Sequence, residues 1–119
     1  MEEKNTARYK SRQYAIRIIK LYRHLKTKYR EYDLFRQILR SGTSIGANLS
    51  EAEFAISEQD FAAKIYIALK ECSETLYWLW LLHQTGYLTD AEYNSMDRDG
   101  REIEKMLSAT TKTLKEKNQ

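Results

Sequence analysis

The chain has 119 residues, no proline, four glycines and one cysteine, with 31% charged residues and a formal net charge of +3. That length suits one domain burying a single core, and a chain without proline admits long unbroken helices. The lone thiol, Cys72, excludes a disulfide framework or a four-cysteine metal site and points to a reducing compartment, most simply a cytoplasm.

The first expected element is a helix over about residues 6–30, where Ala15, Ile18, Tyr22, Leu25 and Tyr29 step by three and four. No apolar segment stands behind the charges of MEEKNTARYKSR, so no signal peptide is expected. Residues 1–32 hold ten Lys/Arg against three Glu, a balance of +7, whereas residues 33–88 come to −3 and residues 89–119 to −1. Projected on a helix, Lys10, Arg17, His24 and Lys28 run down one flank of the apolar stripe. Arg12, Arg23, Lys26 and Arg30 run down the other, with Lys20 behind. Such a helix attracts polyanions, RNA or another nucleic acid. The plainer reading is a solvated face, or one paired with acids on another helix or subunit, for which Glu71 and Glu74 are candidates. Tyr9 and Tyr14 are candidates for added stacking, and Tyr14 equally for the border of the core.

The second helix is expected over about 34–54, capped by Asp33, with Phe35, Ile38, Gly42, Ile45, Leu49 and Ala52 on its stripe. Within SGTSIGANLSEA, Gly42 and Gly46 lie four apart and let a neighbouring backbone approach closely. Ser41, Ser44, Asn48 and Glu51 sit beside them. They make either a ligand site or a structural polar network that fixes helix register, and the structural reading is preferred.

The third helix is expected over about 58–85, entered at Ser57 with Asp60 and left at Gly86. Its stripe is Phe61, Ile65, Ala68, Cys72, Leu76, Leu79 and His83. It is apolar beyond that stripe: Ile67, Trp78 and Leu81 lie on the far side, and Tyr66, Tyr77 and Trp80 on a flank. These residues either pack under loops or form a subunit interface, and the interface is favoured because Trp and Tyr are typical anchors. The apolar-rich run Leu76 to Leu82 is far too short to cross a bilayer, so no membrane partner is expected. The fourth helix is expected over about 90–116, with a Thr89–Glu92 capping box and a stripe of Tyr93, Met96, Gly100, Ile103, Leu107, Thr110 and Leu114.

Four helices joined by short connections make one domain over residues 1–119, all-α, an antiparallel up-down-up-down four-helix bundle. No cofactor or metal is expected. A di-iron bundle needs paired Glu-x-x-His motifs, and neither His24 nor His83 has Glu three residues earlier. Cys72 on the apolar stripe behaves as a small hydrophobe rather than a nucleophile. The expectation is a binding protein rather than an enzyme.

SGTSIGANLSEA, followed by SEQDFAAKIYIALKECSETLYWLWLLHQTGYL, resembles the bacterial proteins first noticed as products of intervening sequences within 23S ribosomal RNA genes. The pattern S-I-x-x-N-x-x-E falls on Ser44, Ile45, Asn48 and Glu51, and the later match on the run Ala68 to Ser73, then Glu74 and Gly86–Tyr87. Thr43 and Ala52 stand where many members have proline and glycine. The accessory proteins of diversity-generating retroelements look like relatives. The resemblance implies a four-helix bundle, a ring-shaped homopentamer and no catalytic residues. It also implies association with nucleic acid and, from the retroelement relatives, with a nucleic-acid-processing protein. The alternative is a protein–protein scaffold or adaptor ring with no nucleic-acid role.

Overall fold

In a computed structural model, which describes residues 3–117, the chain forms α1 (Ala7–Lys28), α2 (Tyr32–Ala52), α3 (Glu58–Gln84) and α4 (Asp90–Lys117). Among the described residues there is no strand. Local chemistry sets most of these ends. Thr6 is extended and its hydroxyl accepts from the Tyr9 amide at 3.1 Å, opening α1. At α4 the Thr89 hydroxyl accepts from the Glu92 amide at 3.1 Å and the Glu92 carboxylate accepts from the Thr89 amide at 2.8 Å, a closed capping box. That backbone bond, set against some burial and helped by the nearby His24 and Lys28 charges, holds the Glu92 carboxyl below its usual range. At α3 the Ser57 hydroxyl accepts from the Asp60 amide, but Asp60 reaches back to the Ile56 amide rather than to that of Ser57. Gly86 takes φ +88°, and the bonds from the Gly86 amide to the His83 carbonyl and from the Tyr87 amide to the Leu82 carbonyl complete a Schellman end.

Asp33 does not cap α2. The helix starts at Tyr32 with Glu31 before it and no side-chain cap, and Asp33 lies inside the first turn, ion-paired with Arg36. Three residues of spacing favour that intrahelical pair once the helix begins earlier.

α1 packs on α2, α2 on α3 and α3 on α4, and α4 meets α1 more lightly to close the bundle, 47 Å long and 26 Å across. α1 is thus diagonal to α3. The core runs through Ile18, Leu25, Phe35, Ile38, Ile45, Ala68, Cys72, Leu79, Leu82, Ile103 and Leu107. Each large apolar side chain buried there stabilises the fold by about 1.5–3 kcal/mol before entropy is counted. The inward stripe of α1 differs from expectation: Ser11, Tyr14, Ile18, Leu21 and Leu25 are buried, while Ala15, Tyr22 and Tyr29 are only partly so. Glycines explain the rotation. A Cβ on Gly42 would fall 2.7 Å from Ile18, and one on Gly46 would fall 3.4 Å from the Ser11 backbone oxygen, so α1 approaches α2 through this pair. A Cβ on Gly100 would fall 2.7 Å from the Tyr14 hydroxyl, which needs that space to donate to the Met96 carbonyl at 2.9 Å. Tyr14 is 2% exposed, so it belongs to the core and offers no stacking face. On α3, Thr75 and Leu82 are buried in place of Phe61 and His83; on α4, Thr111 replaces Thr110, and Tyr93 and Leu114 are half-buried.

Candidate nucleic-acid interface

The two flanks of α1 have different fates. Its basic residues at heptad spacing, Lys10 and Arg17 with His24 below them, face α4, which runs antiparallel and presents Glu102, Asp99 and Glu92. Lys10 pairs with Glu102, Arg17 pairs with Asp99 and also donates to the Ser95 hydroxyl at 2.7 Å, and His24 Nε2 lies 3.3 Å from Glu92. Glu71 and Glu74 are not the partners of α1. Both pair with Arg40 of α2, because α3 adjoins α2 and lies diagonal to α1. Lys28 belongs to the α4 side, where its charge helps to lower Glu92.

The other flank is open. Arg23, Lys26 and Arg30 there, and Lys20 behind them on the side toward Arg17 and His24, are exposed and form no ion pair among the described residues. Arg12, higher on the same helix, is exposed and engaged in an interaction of its own. Aromatic rings interleave with these cations where α1 turns into α2. Lys26 Nζ stands 5.1 Å from the Tyr22 ring and 5.4 Å from the Tyr32 ring, and Lys28 Nζ stands 5.7 Å from the Tyr29 ring. Tyr29 itself packs edge-on with Phe35 and Tyr87, closing that end of the bundle.

The six α3 residues split between surface and partial burial. Tyr77, Trp80 and Ile67 are exposed, at 52%, 47% and 40%. Trp78 is half-buried, and its indole N–H donates to Glu74 at 3.0 Å. Burial works to raise the Glu74 carboxyl, but the Trp78 hydrogen bond and Arg40 outweigh it and hold the group below its usual range. Leu81 is half-buried, and Tyr66 is half-buried with Lys115 5.9 Å from its ring. Of the six, the exposed aromatics are therefore Tyr77 and Trp80.

The polar residues of α2 do not form one network. Ser41 is buried and hydrogen-bonds Thr75 of α3 at 2.9 Å. Asn48 donates only to the Ser44 carbonyl of its own helix at 2.8 Å, Ser44 bonds the Arg40 carbonyl, and Glu51 pairs with Lys64 at the surface. One buried hydroxyl pair thus links α2 to α3, and the close packing of α1 rests on Gly42, where a side chain would strike Ile18. Phe54 and Ile56, between α2 and α3, are 83% and 93% exposed. The helical stripes gave no reason to notice them; the signal was Phe54 at the end of the second expected helix but off its stripe, and Ile56 just beyond it.

Among the described residues no three His, Cys, Asp or Glu side chains gather as a metal site, and no helix is long and apolar enough to cross a membrane. Burial pushes the Cys72 thiol up to about 12, far from the thiolate a nucleophile needs.

Residues 3–109 match the family model described as 23S rRNA-intervening sequence protein. The chain also resembles a crystal structure of a protein of unknown function from the S23 ribosomal protein family of Bacteroides thetaiotaomicron. The two are 48% identical with a TM-score of 0.88, and the match covers 90% of this chain and 99% of that one. No curated protein matches the chain.

Proposed function

This chain belongs to the 23S rRNA-intervening sequence protein family, and from that premise we propose that it is a non-enzymatic, cytoplasmic homo-oligomer that binds RNA along the open flank of α1. The observation that carries the reading is the set of Arg23, Lys26 and Arg30, with Lys20 behind them, exposed and without an ion-pair partner among the described residues. Such cations displace condensed counterions from phosphates, which yields sequence-tolerant, salt-dependent binding. No stretch of the sequence resembles a groove-reading motif. Assembly multiplies the surface, since each subunit adds a copy of α1. The pentamer is the first choice and the dimer the second, and Tyr77, Trp80 and Ile67 on α3 supply the apolar area.

A second reading is a protein–protein scaffold. It draws on the same exposed α3 residues and on the neutralisation of Lys10 and Arg17 by α4. Purification of the native protein with and without nuclease treatment, followed by sequencing and mass spectrometry of what accompanies it, separates the two. RNA that co-purifies until nuclease removes it supports the first. Proteins that remain after nuclease, with no RNA recovered before it, establish the scaffold. Light scattering at micromolar concentration tests the assembly. Trp80→Glu should shift it toward the monomer without loss of helicity, and a wild-type monomer rules the oligomer out.

A further inference from the structure

We propose that the turn from α1 into α2 stacks an unpaired base on Tyr32, so that the chain prefers single-stranded RNA to duplex. This rests on the nucleic-acid reading above and names its ligand class. The Lys26 ammonium stands between two rings contributed by different helices, Tyr22 at 5.1 Å and Tyr32 at 5.4 Å. Tyr32 is 44% exposed, so with the ammonium over it the ring still offers area to solvent. The neighbouring ring, Tyr29, is committed to Phe35 and Tyr87 at centroid distances of 6.3 and 4.9 Å, which leaves Tyr32 as the ring open at this corner.

A nucleotide presents a flat base beside a phosphate. An exposed ring beside a cation is the complement of that pair. Arg23 and Arg30 lie on the same stretch of chain and extend the positive track along which a backbone runs. A duplex offers its phosphates to those cations but hides its base faces, so only a single strand uses both halves of the site. Every base has a π-face, so the preference is for strandedness and not for sequence.

The plainer role for this cluster is a clamp, in which Lys26, Tyr22 and Tyr32 only fasten α1 to α2. The two roles predict different measurements. The probes are an oligouridylate of about sixteen nucleotides, enough for one module's site, and an RNA duplex of the same length, titrated against the full chain. Stacking predicts that wild type binds the single strand more tightly. Tyr32→Ala should weaken single-strand binding by about tenfold, the scale of one lost base–aromatic stack, and leave duplex binding unchanged. Tyr32→Phe should keep both affinities. Tyr32→Leu, which retains bulk without a π-face, should behave as Tyr32→Ala does. The inference is overturned if wild type binds the two RNAs alike and Tyr32→Ala changes neither, or if Tyr32→Leu behaves as Tyr32→Phe does; the cationic reading survives both results. It is also overturned, in favour of the clamp, if Tyr32→Ala lowers the melting temperature and weakens both RNAs equally. If wild type binds neither RNA, the nucleic-acid reading itself falls and takes this inference with it.

Discussion

The two flanks of α1 carry the same kind of residue and do different work. On the flank that faces α4, Lys10 and Arg17 meet Glu102 and Asp99, and their charge is spent inside the molecule. On the other, Arg23, Lys26 and Arg30, with Lys20 behind them, meet solvent and have no ion pair among the described residues. Net charge by segment therefore overstates the surface available to a polyanion. What matters is which cations have an antiparallel acidic neighbour, and topology decides that.

The largest effect comes from removing the frame on which both flanks stand. Leu107 is 1% exposed at the centre of α4. Leu107→Asp places an unpaired charge in the core and should cost more than about 4 kcal/mol, enough to abolish the cooperative melt seen by circular dichroism. An unchanged melting temperature would contradict the core assignment.

A smaller change should break only the paired flank. A side chain at Gly100 meets the Tyr14 hydroxyl and Leu76 and pushes α4 away from α1 and α3. Gly100→Val should cost about 1–3 kcal/mol by denaturant melt, the usual scale of overpacking. It should also weaken the Lys10 and Arg17 pairs while leaving the open flank in place. A neutral or stabilising Gly100→Val would mean that the α1–α4 seam yields more easily than its packing implies.

Next in size is the capping box that starts α4 beside His24. Thr89→Ala should cost about 0.5–2 kcal/mol. The Glu92 carboxyl is lower in the native state than its ordinary value of 4.5. Its contribution is therefore complete above that value and is lost as pH falls through the depressed native value. Glu92→Gln should remove this part of the acid sensitivity, so an acid melt identical to wild type would deny Glu92 the role.

The comparison is sharpened by converting one flank into the other. Asp99→Asn with Glu102→Gln releases Arg17 and Lys10. Exposed pairs of this kind contribute about 0–1 kcal/mol each, so stability should barely change. RNA affinity at low salt should rise. If it does not, the α4 flank lies outside the binding surface altogether.

The fold was legible because its rules are local. Periodicity marked four helices, and Gly86, Ser57 and the Thr89–Glu92 pair marked ends by specific hydrogen bonds. The misreading of α1 has a source outside that helix. The inward face of α1 was read from apolarity, but small residues on its neighbours set it: Gly42 leaves room for Ile18, Gly46 lies against Ser11, and Gly100 admits Tyr14. Small residues on one helix control what another buries, and periodicity within a single helix does not contain that information. The partners of the α1 cations were misplaced on α3 for a related reason. Antiparallel order puts α1 beside α2 and α4 and opposite α3, so Glu71 and Glu74 were never within its reach. The Tyr22–Lys26–Tyr32 cluster escaped notice because it joins two helices across a turn whose geometry no stripe encodes. The Asn48 side chain, expected in a structural polar network, donates to the Ser44 carbonyl of its own helix and to no other helix among the described residues, so Asn48→Ala should cost less than Ser41→Ala, and less than about 1 kcal/mol. A thermal melt of the two variants ranks them directly.

The division of labour between the flanks is tested most directly by a salt titration of RNA binding, from about 50 to 200 mM, on three proteins. The first is wild type, the second replaces Lys20, Arg23, Lys26 and Arg30 by Gln, and the third replaces Lys10 and Arg17 by Gln. Each phosphate contact on a single strand contributes about 0.7 to the slope of log affinity against log salt, so the second protein should lose about three units of slope. The third should lose less than about one, because its cations are already paired. Equal losses in the two variants, or no binding by wild type at the lowest salt, would contradict the account.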